Sequence, residues 1–273
     1  MGSLPPDILP ASQCRVCRSA ARDFAQALIL GKYHVRYYRC EFCGFIQTED
    51  PYWLSEAYKS PIAEIDIGVA YRAIELCRPT QAVILTLFNC NAQFVDYGGG
   101  YGLFVRVMRD RGFDFYNFDR YCPNLFARTF EATEGRAYEL ATAFEVFEHF
   151  PRPAEDLRHV LSFTRNVLFN TLLIPASIPR PHEWWYYATE TGQHVSFYTL
   201  RSLKVLADQS GLQMYSDGLQ LHLFTDKRFP PRFFSLLARP TIARSITAVL
   251  RRRLAQRSLL PGDFERISGL RMA

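Results

Sequence analysis

The sequence predicts an α/β protein in which a mostly parallel sheet carries helices on both faces and ends in an antiparallel hairpin. Short apolar runs alternate with segments whose apolar residues recur at helical spacing, the pattern of parallel strands joined by helices. A glycine-rich stretch, residues 98–102, stands between one such run and the following helix. Two close cysteine pairs near the N-terminus indicate an additional small metal-binding module.

The individual elements follow from chain breakers and from the spacing of apolar residues. A helical pattern covers about 52–88, and Pro79 is expected to interrupt it because proline lacks a backbone donor and clashes with the preceding turn. Farther along, strands and helices alternate. These elements are strands at 94–96, 113–119, 138–144 and 166–174, helices at 103–111, 154–161 and 199–210, and hairpin strands at 212–215 and 221–225.

Charge is distributed unevenly along the 273 residues, although the net charge is only +5. Residues 227–273 contain 11 Lys and Arg against 2 Asp and Glu, whereas the rest of the chain contains 21 against 25. We therefore expect three parts: a metal-binding module at 1–50, an α/β domain at 51–226 and a basic helical extension at 227–273. An amphipathic helix within 242–259 either packs on the body or binds an anionic membrane surface or a phosphate-bearing ligand.

The sequence predicts neither a membrane span nor an exported protein. No run of 18 uncharged apolar residues occurs, and the N-terminus lacks a charged start followed by an apolar stretch. Seven cysteines are an odd number, which argues against a disulfide framework. We therefore expect a cytoplasmic protein.

Four of the cysteines form two Cys-x-x-Cys pairs, Cys14/Cys17 and Cys40/Cys43, with 22 residues between the pairs. This is the spacing of a tetrahedral zinc site of the zinc-ribbon kind. Four thiolates would fill the coordination shell, so the predicted zinc is structural. The alternative is two unrelated pairs of reduced thiols.

The most informative stretch has the pattern D-x-G-x-G-x-G and consists of Asp96, Tyr97, Gly98, Gly99, Gly100, Tyr101 and Gly102. Glycines between a strand and a helix let the backbone approach a ligand, and the helix N-terminus attracts a carboxylate or phosphate. A dinucleotide site would need glycine where Leu103 or Val105 stands. Asp119 follows Gly100 by 19 residues and ends the next predicted strand, where it can accept hydrogen bonds from ribose hydroxyls.

This spacing resembles the first motif of the Rossmann-like, S-adenosylmethionine-dependent methyltransferases. The segment 143–150 looks like the E-V-x-E-H segment of many members, and 192–203 is similar to a stretch in bacterial members that modify sugars and other small metabolites. The segment 38–46 also looks like the zinc-binding head of some sugar methyltransferases. Apart from this zinc-binding head, the resemblance covers about residues 70–226.

The resemblance implies that Asp119 holds the ribose of S-adenosylmethionine and that Glu145 lies beside the cofactor. The amino-acid part of the cofactor would be held by Asp96, Tyr97, Gly98, Gly99, Gly100 and Gly102. An oxygen or nitrogen acceptor also needs a base, for which Glu148, His149 and His194 are the candidates. In some relatives, including small-RNA 2′-O-methyltransferases, an E-x-x-E-H segment binds magnesium. Glu145, Glu148 and His149 match that spacing, so magnesium is a second hypothesis.

The predicted function is methyl transfer to a small-molecule acceptor, namely a sugar, a nucleotide-sugar or a natural-product intermediate. The first alternative is an RNA methyltransferase, which the cysteine pairs and the basic extension favour. Against it, the body of the chain is slightly acidic and no RNA-binding motif is evident. The second alternative is a non-catalytic protein that retains the cofactor pocket.

Overall fold

The computed structural model describes residues 13–59, 66–254 and 256–272. Residues 1–12 of the predicted metal-binding module and residues 60–65 of the predicted helical stretch lie outside this part of the chain. The strands are β1 (Ala21–Ile29), β2 (Tyr33–Cys40), β3 (Ile46–Thr48), β4 (Gln93–Tyr97), β5 (Asp114–Phe118), β6 (Leu140–Phe144), β7 (Val167–Asn170), β8 (Ser196–Phe197), β9 (Gln213–Ser216) and β10 (Leu221–Thr225). The α-helices are α1 (Leu54–Ala57), α2 (Val69–Leu87), α3 (Leu103–Asp110), α4 (Pro153–Leu161), α5 (Leu200–Gln209), α6 (Pro231–Leu237), α7 (Pro240–Arg253) and α8 (Leu260–Ser268).

Six strands form the central sheet in the order β5-β4-β6-β7-β10-β9. The first four are parallel and β10 is antiparallel to both of its neighbours, so the predicted parallel sheet with a terminal hairpin is confirmed. Crossover connections are right-handed, and α3 leads from β4 to β5 while α4 leads from β6 to β7 in the opposite direction. The two helices therefore lie on opposite faces. The carboxyl ends of β4, β5 and β6 share one edge, where ligands of such sheets bind.

A second sheet joins the cysteine-bearing N-terminus to the body of the protein. Its strands are antiparallel and have the order β1-β2-β3-β8, so its last strand comes from far along the chain. Two side chains add hydrogen bonds across this junction: the Trp53 indole donates to the Gly192 carbonyl at 2.8 Å, and the Thr199 hydroxyl donates to the Cys43 carbonyl at 2.6 Å. The boundary predicted after residue 50 therefore separates two strands of one sheet.

The expectation that Pro79 interrupts the first long helix is wrong, because α2 continues through it to Leu87. Side chains next to the proline donate to carbonyls four residues earlier: the Thr80 hydroxyl at 2.6 Å and the Gln81 amide at 3.1 Å. Residues 79–84 are also buried. Burial of this stretch offsets the cost of the missing backbone hydrogen bond.

The basic C-terminal extension contains three helices among its described residues and packs on the body. Helix α7 lies against α2 and buries Ala243. Helix α8 is tied to α3 by Asp263, whose carboxylate pairs with Arg109 at 2.7 Å and with Arg106 at 2.9 Å. The helix predicted within 242–259 ends earlier, at Arg253, and α8 follows as a separate helix.

No single helix among the described residues is long and apolar enough to cross a membrane. Helices α6 and α7 reach the length and apolar composition of a membrane-spanning helix only when they are taken together. The chain bends by 85° between them.

Removal of the Asp263 carboxylate should destabilise the fold, because Arg109 is only 4% exposed. In Asp263→Ala, Asp114 remains as a carboxylate partner of this buried guanidinium. We expect a loss of about 2–4 kcal/mol in the free energy of unfolding, measured by urea denaturation. Glu265→Ala removes an exposed ion pair with Arg271 and should cost less than about 1 kcal/mol. Equal losses in the two variants would contradict this role of Asp263.

Candidate functional site

A cavity of about 780 Å³ opens at the carboxyl ends of β4, β5 and β6. The first turns of α2 form part of its wall, and residues from the segment 185–194 form another part. Nine of the residues predicted to bind the cofactor or to act as the base line it: Asp96, Tyr97, Gly98, Gly99, Gly100, Asp119, Glu145, His149 and His194. The cavity therefore brings together seven of the eight predicted cofactor residues, all except Gly102, and two of the three candidate bases.

Backbone conformation and lack of space explain the glycines between β4 and α3. Gly98 and Gly100 have φ angles of +70° and +54°, a region that residues with a Cβ disfavour. Gly99 is required by space, because a Cβ there would lie 2.1 Å from the Asn117 Oδ1 atom. Gly102 precedes α3 at a φ of +82° and supports the turn from outside the cavity lining. The turn thus presents bare backbone to the cavity.

Asp119, directly after β5, braces this turn from the neighbouring strand. One carboxylate oxygen accepts a hydrogen bond from the Gly100 N–H at 2.9 Å. The other accepts from the N–H groups of Tyr121 and Cys122, both at 2.7 Å. A carboxylate has about four lone-pair positions, so one remains for a hydroxyl in the cavity.

Asp96 and Tyr97 support the turn from the end of β4. Burial raises the pKa of Asp96 to about 7, and the Thr142 hydroxyl, which donates to Asp96 at 2.6 Å, favours the ionised form. The Tyr97 ring stacks on Phe118 with centroids 5.2 Å apart, and its hydroxyl hydrogen-bonds to the His159 Nδ1 atom at 2.9 Å. The polar ends of both side chains therefore already have partners in the protein.

Glu145 follows β6 with a φ of +54°, a strained conformation for this residue type that is typical of functional sites. Asn170 holds it in place: the Glu145 N–H donates to Asn170 Oδ1 at 2.7 Å, and the Asn170 amide donates to the Glu145 carboxylate. Arg72 lies 3.9 Å from the same carboxylate and also pairs with Asp66 at 2.6 Å. Burial raises the pKa of Glu145, and the Arg72 charge opposes this shift.

The rings of His149 and His194 meet edge to face with their centroids 4.9 Å apart. His194 Nδ1 lies 2.7 Å from the Tyr186 carbonyl oxygen. Because a carbonyl can only accept, Nδ1 carries the proton and Nε2 keeps its lone pair. His149 Nδ1 hydrogen-bonds to the Tyr58 hydroxyl at 2.9 Å. Burial lowers the pKa of His194 to about 4 and that of His149 well below its usual value, so both rings are neutral at neutral pH.

Glu148 is fully buried and lies outside the cavity lining. Burial raises its pKa to about 8, and the Glu145 charge adds to the shift, so the carboxyl group is largely protonated at neutral pH. Ligand atoms of Glu148, His149 and His194 lie within 4.8 Å of one another, whereas Glu145 of the predicted magnesium set is engaged with Asn170. Two imidazoles with one carboxylate suit softer metals better than magnesium, so the magnesium hypothesis gains no support here.

The four cysteines predicted to bind zinc also come together. Their Sγ atoms lie within 4.8 Å of one another, with 3.6 Å between Cys14 and Cys43 and 3.3 Å between Cys17 and Cys40. These distances are too long for disulfides, in which the sulfurs are about 2.05 Å apart. They are near the spacing of about 3.8 Å that tetrahedral zinc imposes with Zn–S bonds of about 2.3 Å. The donor set therefore fits zinc.

Residues 70–217 match a family model described as a methyltransferase domain. The chain belongs to this methyltransferase family. The match covers more than half of the chain and confirms the enzyme class predicted from the sequence. It includes the glycine turn, Asp119 and the His149–His194 pair but not the four cysteines. No curated protein matches the chain in sequence.

Solved methyltransferase structures are similar to the chain at low sequence identity. One, of calicheamicin biosynthesis in its SAH-bound form, is 16% identical, with 63% of this chain and 61% of that chain covered and a TM-score of 0.41. An O-methyltransferase family 2 protein from Planctomyces limnophilus in complex with apigenin is 14% identical (64% and 65% covered, TM-score 0.41). The 1,6-didemethyltoxoflavin N1-methyltransferase of Burkholderia thailandensis is 12% identical (74% and 97% covered, TM-score 0.46). The chain thus spans less than two thirds of the length of the first two proteins.

The sequence analysis missed several residues that complete the site. Tyr58 reaches His149 from the N-terminal part of the chain, and Arg72 lies near Glu145 from the start of α2. Asn170, at the end of β7, holds Glu145. Asn170 lies in the middle of the predicted strand 166–174, and its polar side chain is the one signal that this strand ends early, as β7 does. Tyr58 and Arg72 carry no comparable signal, because their partners are distant in sequence.

Gly99→Ala should weaken binding of S-adenosylhomocysteine, the demethylated product of the donor that the sequence implies. The added Cβ would overlap Asn117 Oδ1, and overpacking of about 1–3 kcal/mol raises Kd by roughly tenfold or more. Gly262→Ala is the matched control, since a Cβ there meets nothing within 4 Å. Calorimetry on both variants checks this, and an unchanged Kd for Gly99→Ala would contradict the role of the turn.

Proposed function

We propose that this protein transfers the methyl group of S-adenosylmethionine to a hydroxyl or amino group of a small molecule. The observation that carries the proposal is that one cavity joins the glycine turn and Asp119 to the His149–His194 pair. Its volume of about 780 Å³ is within the range of about 300–1,000 Å³ of small-ligand sites. A methyl donor and its acceptor can therefore lie side by side.

The glycine turn and the start of α3 would hold the donor. The bare backbone at 98–100 and the free N–H groups of the first helical turn attract the carboxylate of its amino-acid part. The remaining lone pair of Asp119 accepts a hydrogen bond from a ribose hydroxyl. Leu103 and Phe104, which line the cavity, supply apolar contact.

Methyl transfer needs alignment more than activation, because the positive sulfur already activates the methyl carbon. The acceptor lone pair forms a bond to this carbon while the carbon–sulfur bond breaks and its electrons return to sulfur. Holding the two reactants in line contributes on the order of 7–11 kcal/mol. The acceptor also loses a proton, which a base must take.

We assign this base to His194. Its Nε2 keeps a lone pair because Nδ1 donates to the Tyr186 carbonyl, and the ring lines the cavity. The lowered pKa of about 4 keeps the ring neutral, so it does not repel the sulfonium. An acceptor oxygen becomes strongly acidic as it gains the methyl group, so even a weak base suffices. His149 is bonded to Tyr58 and packs against His194, and in this proposal it positions the base.

A small-molecule acceptor is favoured over RNA by the charges around the cavity. RNA binding requires an excess of basic groups near its phosphates. The lining instead contains six carboxyl groups against two guanidinium groups: Asp66, Asp96, Asp119, Glu145, Asp156 and Glu190 against Arg72 and Arg120. The narrower classes expected from the sequence, a sugar, a nucleotide-sugar or a natural-product intermediate, remain predictions.

We also propose a structural zinc ion at Cys14, Cys17, Cys40 and Cys43. Four thiolates complete a tetrahedral shell and leave no position open for chemistry. Cys40 ends β2 and Cys43 precedes β3, and β3 pairs with β8 two residues after His194. The metal would therefore stabilise the sheet that supports one wall of the cavity.

Calorimetry with S-adenosylmethionine and S-adenosylhomocysteine, followed by transfer of labelled methyl groups in a cell extract, tests the activity. We expect both ligands to bind zinc-loaded protein and the label to enter the dialysable fraction of the extract. Label in the RNA fraction alone would contradict the small-molecule acceptor. Absence of binding by both ligands would contradict methyl transfer itself.

His194→Gln should lower the rate of methyl transfer by about 10²–10⁴-fold with little change in the Kd of S-adenosylhomocysteine. His182→Gln, at an exposed histidine outside the cavity, is the control and should keep the rate. Because the pKa of His194 is about 4, the rate should not fall as the pH is lowered through about 6.5, where an ordinary histidine becomes protonated. An unchanged rate in His194→Gln would remove the assignment.

Elemental analysis of the purified protein should find one zinc ion per chain. Cys40→Ser should release the metal and destabilise the fold, since structural zinc contributes roughly 10 kcal/mol or more in zinc-binding peptides. Cys90→Ser, at a half-buried cysteine outside the cluster, should retain the metal. Four free thiols in metal-free, fully folded protein would contradict the zinc site.

A further inference from the structure

The C-terminal extension, residues 227–272, presents a surface that methyl transfer does not use. Among the described residues, none after His194 lines the cavity. Large apolar side chains on this extension are between 37% and 64% exposed. They are Phe233, Leu236, Val249, Leu254, Leu260, Phe264, Ile267, Leu270 and Met272. We call them the apolar surface of the extension.

On α8 these side chains form a stripe. Leu260, Phe264 and Ile267 follow one another at spacings of four and three residues, which places them on one side of the helix. Buried Asp263 and Arg266, which lies over the Phe130 ring, hold the flank of the helix beside this stripe to the body. The three side chains of the stripe are nevertheless 39%, 39% and 56% exposed, so each presents part of its apolar surface to solvent.

The same extension carries exposed arginines that have no carboxylate partner within 4.0 Å among the residues that the structure describes. They are Arg228, Arg232, Arg239, Arg244, Arg252, Arg253 and Arg257. The two acidic residues of the extension are already engaged, Asp263 with α3 and Glu265 with Arg271. The surface thus combines uncovered apolar groups with an unbalanced positive charge.

We propose that this extension binds the protein peripherally to an anionic lipid membrane. Helices that lie in the membrane interface combine apolar side chains, which enter the lipid, with basic side chains at the level of the lipid phosphates. The extension has this composition. RNA would engage the arginines but leave the apolar side chains in water. A second copy of the chain would cover the apolar groups but bring two strongly basic surfaces together.

Flotation of the full, zinc-loaded chain with vesicles tests the proposal. We expect binding to vesicles of equal parts phosphatidylcholine and phosphatidylglycerol at low salt and none to pure phosphatidylcholine. Arg252→Gln combined with Arg253→Gln should weaken binding by about 30-fold, since each basic residue near an anionic leaflet contributes about 1 kcal/mol. Arg128→Gln combined with Arg158→Gln, at exposed arginines of the body, should bind like the unaltered protein.

Phe264→Ser combined with Ile267→Ser separates membrane binding from simple charge attraction. Phe264 is 39% and Ile267 56% exposed, so we expect some loss of stability, with the midpoint of thermal unfolding still above the assay temperature, while vesicle binding weakens at least tenfold. The proposal is overturned if the unaltered chain does not float with anionic vesicles, or if the serine variant binds them equally well. It is also overturned if the chain dimerises through this surface, seen as a dimer that the serine variant abolishes, without binding vesicles.

Discussion

The tight turn between β4 and α3 is the constraint on which the cavity depends. The turn exists only because Gly98 and Gly100 accept positive φ angles and because no side chain at Gly99 displaces Asn117. Asp119, which follows the neighbouring strand, accepts a hydrogen bond from the Gly100 N–H of the turn and is itself held by the N–H groups of Tyr121 and Cys122. Since β4 and β5 must be paired in register before Asp119 can reach the turn, the sheet and the site form together.

Much of the fold and half of the site could be predicted because their signals are local. The alternation of strands and helices, the glycine turn and the carboxylate of Asp119 each depend on a few adjacent residues. The contact of His149 with His194 and the reach of Tyr58 into the site depend on chain segments brought together only by the fold. Pro79 misled the prediction because burial of the surrounding helix outweighs a local rule.

Burial sets the chemical state of the inner wall of the cavity. It lowers the pKa of His149 and His194, which line the cavity, and raises the pKa of Glu148, which lies next to them outside the lining, and in each case the neutral form is favoured. A wall without ionised imidazoles does not repel a positively charged donor. In the proposed mechanism, the carboxylate of Asp119, which also lines the cavity, attracts this donor. The neutral histidines would then handle the proton of the acceptor while Asp119 holds the donor.

The pairing of β3 with β8 has a consequence for how the chain can be divided. Composition suggests a detachable N-terminal piece, yet a recombinant fragment beginning at residue 51 would lose the partner of β8 and leave Phe197, now fully buried, without its neighbouring strand. An exchange of N-terminal pieces between relatives would disturb the same contact. The two parts therefore differ in composition, but a recombinant protein that keeps the β3–β8 pairing must contain both of them.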